Sequence, residues 1–195
     1  AVSKKQPLEK IRDAAAAGQR HFGENFVQEG VDKIEALADA GLTWHFIGHL
    51  QSNKTRVVAE YFDWVHTIDK IKTARRLSEQ RPDHLPPLNI CLQVNVDDED
   101  SKAGVTPAAL PDLAAACVEL PNLRIRGLMC LPAIRTGLDQ QRMPFAALRR
   151  LAEQLRTDGI DTDTLSMGMS ADYPAAILEG ATIVRIGTAL FGARN

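Results

Sequence analysis

A chain of 195 residues with 45% hydrophobic and 25% charged content is long enough for one sizeable core and is composed like an ordinary globular protein. A formal net charge of −2 excludes the global basic field that draws nucleic acid, and no apolar run approaches the roughly 18 residues of a membrane span. Cys91, Cys117 and Cys130 are too few and too scattered for a disulfide scaffold or a zinc knuckle, which fits a reducing cytosol.

Ala1-Val2-Ser3 reads as the end of a strand with no room for its beginning, so further residues are expected upstream, and Lys4 follows it directly. Pro7 suits a helix first turn, Leu8, Ile11, Ala14 and Ala15 are helix-spaced, and Gly18 is the stop. A second strand covers His21–Asn25, and a helix from Val27 to Ala40 ends at Gly41. Trp44–Gly48 is a third strand, and Gln51-Ser52-Asn53 caps a helix through Tyr61. Trp64–Ile68 is the fourth strand, followed by a helix from Asp69 to about Gln80 and a loop at Pro82, Pro86 and Pro87.

Leu88–Val96 is a fifth, nearly continuous apolar strand. The acidic run Asp97-Asp98-Glu99-Asp100 lacks the spaced ligands of a Ca²⁺ loop and reads as a solvated connection. Thr106-Pro107 opens a helix reaching Leu120, and Leu123–Leu131 is the sixth strand. After a loop from Pro132 to Asp139, Phe145, Leu148, Leu151, Ala152 and Leu155 form a helical stripe. Thr164–Gly168 is the seventh strand, Ala171 to Glu179 a short helix, and Ile183–Phe191 the eighth strand.

Eight strands alternating with helices imply parallel pairing and an α/β (β/α)8 TIM barrel, formed as a single domain over residues 1–195. The competing layout is an open doubly wound sheet, which needs a glycine-rich turn after its first strand. Lys4 occupies that place, and no G-x-G-x-x-G occurs.

In a barrel the active face lies at the C-terminal ends of the strands, often with a phosphate site after strands seven and eight. Gly168 and Ser170 follow the seventh strand, and Gly187 and Thr188 mark a turn within the eighth. Small residues with hydroxyls and free N–H groups make an anion cradle. Closure places the eighth strand beside the first, and so brings Lys4 to that cradle. A partly desolvated lysine is a nucleophilic amine, and beside a phosphate site it meets the requirement for a Schiff base with pyridoxal phosphate. Arg185 could meet the pyridine nitrogen of that cofactor. An arginine there leaves the nitrogen largely unprotonated and the ring a weak electron sink.

Several residues carry a second reading. Gly187-Thr188 also reads as a strand bulge, Arg185 as a structural ion-pair partner, and Ser170 as the cap of the helix beginning at Ala171. His45 and His66 read as satisfied interior or rim residues, and no histidine or cysteine spacing suits a metal.

The stretches Ala1-Val2-Ser3-Lys4, Phe22-Gly23-Glu24-Asn25, Trp44-His45-Phe46-Ile47-Gly48, Leu50-Gln51-Ser52-Asn53-Lys54, Ser166-Met167-Gly168-Met169-Ser170 and Val184-Arg185-Ile186-Gly187-Thr188, with Phe191-Gly192, span nearly the whole chain. Through them it resembles the pyridoxal phosphate homeostasis proteins, which look like the barrel domain of alanine racemase standing alone. The resemblance implies that Lys4 is the Schiff-base lysine. It further implies that Ser170, Gly187 and Thr188 hold the phosphate, that Arg185 lies at the pyridine nitrogen and that Asn25 lines the pocket.

His49 stands where that family usually has proline, and Lys5-Gln6 where it has Thr-Lys. The resemblance implies a protein that binds pyridoxal 5'-phosphate and acts in its homeostasis, storing it and delivering it to apo-enzymes, with no catalytic residue. The chain has no residues left for the second domain that brings a partner subunit into a racemase site, so a monomer is expected, and charge, hydropathy and cysteine usage point to a cytoplasmic protein with no nucleic-acid, membrane or metal partner. A weak amino-acid racemase is the alternative, with Tyr173 as its second acid/base. A phosphate-ester enzyme using Lys4 as an aldolase-type amine is the third reading, and it gives Arg185 no purpose.

Overall fold

The computed structural model describes residues 1–97 and 103–192. Its seven strands are parallel and follow one another around the sheet in chain order: β1 (His21–Glu24), β2 (Thr43–Phe46), β3 (Trp64–Ile68), β4 (Leu88–Gln93), β5 (Leu123–Met129), β6 (Thr164–Met169) and β7 (Ile183–Arg185). Helix α1 (Leu8–Ala16) precedes β1. Each strand is then followed by a helix: α2 (Val27–Ala36), α3 (Thr55–Tyr61), α4 (Ile71–Gln80), α5 (Leu110–Val118), α6 (Leu138–Thr157), α7 (Tyr173–Leu178) and α8 (Thr188–Phe191). Thr106 accepts the Ala109 N–H at 3.3 Å and caps the short turn that leads into α5, as its sequence suggests.

Ala1–Ser3 takes the eighth position and closes the barrel. Val2 forms a parallel bridge with Gly23, flanked by hydrogen bonds from Gly23 N–H to Ala1 O at 2.7 Å and from Ser3 N–H to Gly23 O at 3.0 Å. On its other side the Val2 N–H donates to Ile186 O at 2.7 Å, one residue past β7. The open-sheet alternative is thereby excluded.

Because successive strand side chains alternate between faces, the barrel has two apolar regions. The large one lies between sheet and helices, where Phe22, Phe46, Val65, Ile90, Leu128 and Phe145 are fully buried. The small one joins Trp64, Cys91 and Met129, with Ile183 packed against them.

The sequence misplaces two features. The expected strand over Ile183–Phe191 stops at Arg185. Gly187, at φ −115° and ψ −81°, accepts from Leu190 and Phe191 N–H at 3.0 and 2.9 Å and starts α8. Once Ile186 has met Val2, the edge segment offers no further ladder partner, and the chain turns into helix at the rim. Asp97, read as part of a solvated loop, is buried instead. Its carboxylate pairs with Arg135 at 2.6 Å and accepts the Ala133 N–H at 2.6 Å, joining the ends of β4 and β5. Asp98, Glu99 and Asp100 lie outside the described residues.

The closing segment is clamped from below by α2. Lys33 donates to Glu24 Oε1 at 2.8 Å, Glu29 Oε1 at 2.7 Å and Ser3 O at 2.7 Å, and the Ser3 hydroxyl donates to Glu24 Oε1 at 2.6 Å. Glu24 and Lys33 are both buried. Gly30 makes this approach possible: a Cβ there would stand 2.5 Å from the Phe62 ring. Lys5 then takes the left-handed φ of 59°, and its N–H donates to Glu29. Burial pushes the Glu24 carboxyl up, against the opposing pull of Lys33 and Ser3. Removing one member of a buried pair leaves the other charge uncompensated. Lys33→Met is therefore expected to cost about 3–5 kcal/mol in urea unfolding at neutral pH, and adding Glu24→Gln to recover part of that loss. Strictly additive losses would show that the two do not act as a pair.

Three histidines form a ladder that runs from the exposed His21 to the buried His45 and His66 inside the barrel. His21 Nδ1 lies 2.9 Å from His45 Nε2, and His45 Nδ1 lies 2.8 Å from His66 Nε2. They border a cavity of about 410 Å³ at the N-terminal end, together with Trp64, Ile183 and Arg185. Burial, aided by the charge of Arg185, lowers His66 to about 3, and burial pushes His45 down as well. An unfolded chain protonates both near the ordinary value of about 6.5. Between those limits the unfolded chain holds more protons, so stability is full above pH 6.5 and is lost as pH falls toward 3. The slope approaches about 1.4 kcal/mol per pH unit for each histidine. Urea midpoints measured from pH 7 to 4 should fall less steeply for His66→Gln than for the wild type, and equal slopes would contradict this.

Candidate functional site

Strand register gathers five of the six sequence-predicted residues on one rim. Val2 pairs with Gly23 and bonds Ile186, so Lys4, Asn25 and Thr188 each lie two residues beyond a matched position. Met169 pairs with Arg185, which puts Ser170 level with Ile186 and next to Gly187. These are the C-terminal ends of neighbouring parallel strands, the face on which a barrel carries its chemistry. Val2 borders the interior cavity, Ser3 bonds Glu24 on the helix side, and Lys4 begins the turn that leaves this closing segment. Lys4 and Ser170 are half-buried, and Thr188 is exposed.

The sixth residue, Arg185, lies below this rim inside the barrel. It is 7% exposed, and its Nη1 and Nη2 donate to Ser166 Oγ at 2.7 Å and Cys130 O at 2.9 Å. Both partners are neutral, and among the described residues no carboxylate bonds it, so the ion-pair reading of Arg185 fails. Burial lowers its pKa. A buried guanidinium with donors to spare suits an electron-rich acceptor, such as an unprotonated ring nitrogen.

The rest of the site is shaped by close approaches. Gly168, at φ 92°, lies under α7: a Cβ there would come within 2.6 Å of the Ala176 Cβ and 3.1 Å of the Tyr173 Cα. The turn after β6 is held by Asp172, whose Oδ1 accepts the Met169 N–H at 2.6 Å. Asp172 stands at the N-cap of α7, so capping that helix is not the role of Ser170. Gly187 occupies the N-cap of α8 and is no strand bulge. The first turn of a helix leaves its leading N–H groups without intrahelical acceptors, and α8 starts at Thr188, with only Ile186 and Gly187 between it and the end of β7.

Asn25 is held by Gly48, where a Cβ would stand 2.1 Å from the Asn25 carbonyl oxygen. Thr67 Oγ1 fixes the other side of Gly48 by donating to its carbonyl at 2.7 Å. His49 is exposed and borders a rim cavity of about 410 Å³ with Asn25, Gly48 and Lys54. The Asn25 Oδ1 atom is buried and has no hydrogen-bond partner among the described residues. A buried, unpaired acceptor at a rim of donors fits a polar ligand. Together these residues offer a hydroxyl- and glycine-bearing turn, a lysine and a buried guanidinium to a polar, anionic ligand.

The sequence reading misses Ser166, Lys33, Glu29 and the outward role of Glu24. The signal for Ser166 is its place on the inward face of β6 with Thr164 and Gly168. Lys33 carries no such signal, because a lysine on an amphipathic helix ordinarily faces solvent. His45 and His66 are satisfied interior residues, as read. Burial pushes the Cys91 and Cys130 thiols up to about 12, which leaves them inert.

Comparison with known proteins agrees with this fold. The family described as alanine racemase, N-terminal domain, matches residues 3–195. The pyridoxal phosphate homeostasis protein of Pseudomonas aeruginosa is 58% identical over 195 residues, covering all of this chain and 84% of the relative. That of Escherichia coli K12 is 55% identical over 201 residues, covering all of this chain and 85% of the relative. PipY of Synechococcus elongatus, solved with PLP bound, matches with a TM-score of 0.90 and 42% identity over 98% of this chain and 91% of PipY. Alanine racemase from Corynebacterium glutamicum shares the fold at a TM-score of 0.73 and 18% identity, over 99% of this chain and 55% of the racemase. With a closed alanine-racemase-type barrel, a lysine at the end of its first strand segment and more than half of its residues shared with the Pseudomonas aeruginosa and Escherichia coli relatives, the chain belongs to the pyridoxal phosphate homeostasis protein family.

Proposed function

We propose that the protein holds pyridoxal 5'-phosphate as a Schiff base on Lys4 and acts in homeostasis of that cofactor, storing it and delivering it to apo-enzymes without turnover of its own. The observation that carries this reading is the convergence of Lys4, Asn25, Ser170, Gly187 and Thr188 on one rim above the buried Arg185. The PLP-bound structure of PipY, at 42% identity, supports the choice of ligand. Ser170, Gly187 and Thr188 hold the phosphate, Asn25 accepts from a polar group of the ring, and the Lys4 amine is the nucleophile. When bound, the cofactor supplies an electron sink whose strength depends on its ring nitrogen being protonated. Arg185 does not give up its proton, so the site favours holding the cofactor over using it.

Racemisation also needs an acid/base on the second face of the substrate. Tyr173 opens α7 with 39% of its surface exposed, and among the described residues its hydroxyl has no partner to orient it. An unheld phenol is a poor proton donor for a defined carbon. The reading carries with it a monomer working in the cytoplasm, for which sedimentation of the loaded protein is the test of oligomeric state.

Borohydride reduction of the loaded protein followed by peptide mapping should mark Lys4, and Lys4→Ala should abolish both the mark and the visible absorption. A mark on Lys5 or Lys54 instead would sink the assignment. Deuterium exchange at Cα of L- and D-alanine should stay near the level of free cofactor and be unchanged by Tyr173→Phe. Fast exchange that Tyr173→Phe removes would favour the racemase.

A further inference from the structure

Arg185 is the inner end of an unbroken line of side chains. Its Nη1 lies 2.7 Å from Ser166 Oγ, which lies 2.8 Å from His66 Nδ1. His66 Nε2 then meets His45 Nδ1 at 2.8 Å, and His45 Nε2 meets His21 Nδ1 at 2.9 Å. Residues from β7, β6, β3, β2 and β1 thus form one chain across the barrel interior.

The direction of every bond in that chain follows from its inner end. A guanidinium has no acceptor atom, so Arg185 donates and Ser166 Oγ accepts. A serine oxygen can accept twice, but accepting from both neighbours would leave the buried Ser166 hydroxyl proton without a partner among the described residues, so it donates to His66 Nδ1. A neutral imidazole that accepts at Nδ1 carries its proton on Nε2. His66 therefore donates to His45, and the same constraint passes from His45 to His21. Protonating His66 would set a second buried cation against the Arg185 side of the chain, and burial holds it neutral down to about pH 3.

We propose that the line from His21 through His45 and His66 is a tautomer lock, which makes His66 and Ser166 positioning residues for Arg185. With its hydroxyl proton committed to His66, Ser166 can only accept from Arg185 and has no proton to offer a ligand. The guanidinium is then the one donor left for the pyridine nitrogen, and its proton is not transferable. This last consequence rests on the pyridoxal phosphate reading above, whereas the lock itself does not.

The test has two arms. In the cofactor-free protein at neutral pH, long-range ¹H–¹⁵N spectra should show His21, His45 and His66 all protonated on Nε2. A His66 or His45 protonated on Nδ1, or on both nitrogens, overturns the lock. In the same protein His66→Phe, which frees the Ser166 hydroxyl to turn away, should speed hydrogen exchange of the Arg185 guanidinium by about tenfold, the weakening of the bond that Ser166 accepts from this charged donor. His66→Asn, which keeps an acceptor for Ser166, should restore slow exchange. If His66→Phe fails to fold, Ser166→Ala serves instead and should let His66 populate its Nδ1–H form. Unchanged exchange in His66→Phe, or an unchanged His66 tautomer in Ser166→Ala, overturns the proposal.

The second arm loads the protein with ¹⁵N-labelled pyridoxal phosphate. The ring nitrogen should report an unprotonated state in the wild type and His66→Asn, and should move toward the protonated state in His66→Phe. Identical ring-nitrogen signals in all three overturn the positioning role. Failure of the wild type to take up the cofactor at all overturns the binding reading and leaves the lock to the first arm.

Discussion

The structure depends on how three residues, Ala1–Ser3, close the barrel. A parallel sheet left open between β1 and β7 would present two unpaired edges. Val2 removes both, by pairing with Gly23 on one side and with Ile186 on the other. Each such hydrogen bond contributes only about 1 kcal/mol net, so the ladder alone would hold so short a segment weakly. The buried group of Ser3, Glu24, Glu29 and Lys33 supplies the rest, because it fixes both the side chain and the carbonyl of Ser3. The next residue is Lys4. Barrel closure and placement of the amine are therefore one event, and a change that loosens α2 beneath β1 acts on the site as well as on stability.

The interior has an unusual polarity for a small barrel. Trp64, Cys91 and Met129 fill one part of it, and the histidine ladder with Ser166 and Arg185 fills another. A charge buried without a partner carboxylate is costly, and here it is tolerated only because neutral acceptors surround the guanidinium. A carboxylate in place of one of those acceptors would satisfy Arg185 more strongly, but it would also compete with any ligand for its donors. Neutral partners leave part of the guanidinium uncommitted. The same choice bears on His45 and His66, which burial pushes toward the neutral form: cations there would stand against Arg185 with no counter-ion in the chain of bonds.

The parts of this arrangement that follow from local pattern are legible in the sequence. Trp64–Ile68 is a run of β-branched and aromatic residues bounded by turn signals, and it is found as β3 with the same limits. Gly18 and Gly41 end helical stretches where their positive φ requires it. The candidate site is legible for different reasons: Ser170, Gly187 and Thr188 sit at strand ends in short glycine- and hydroxyl-bearing turns, whereas Asn25 is reached only through the family resemblance. What does not show is whatever depends on where the sheet runs out of partners. Ile183–Phe191 looks like one apolar strand, and nothing local reveals that Ile186 spends the last available ladder bond. Lys33 and Asp97 are hidden for a related reason. Each is a charged residue that local pattern assigns to solvent, and only the tertiary approach of a partner, Glu24 or Arg135, makes its burial possible.

The two ends of the site differ in rigidity, and the difference bears on a protein whose proposed task is to hold a cofactor and let it go. At the inner end, Arg185 is buried, bonded through two nitrogens and backed by a line of side chains reaching β1. At the rim, Lys4 and Ser170 are half-buried, Thr188 is exposed and α8 is a single short turn. Fixed donors at the inner end set the orientation of a ring at little entropic cost, because they are ordered before it arrives. The rim groups contribute charge and hydrogen bonds that water and an incoming amine can reach. A site built to drive chemistry gains from closing over its substrate and excluding water. On the proposed reading, one built to hand its ligand on gains from a rim that water and an incoming amine can reach, and the half-buried Lys4 and exposed Thr188 suit it.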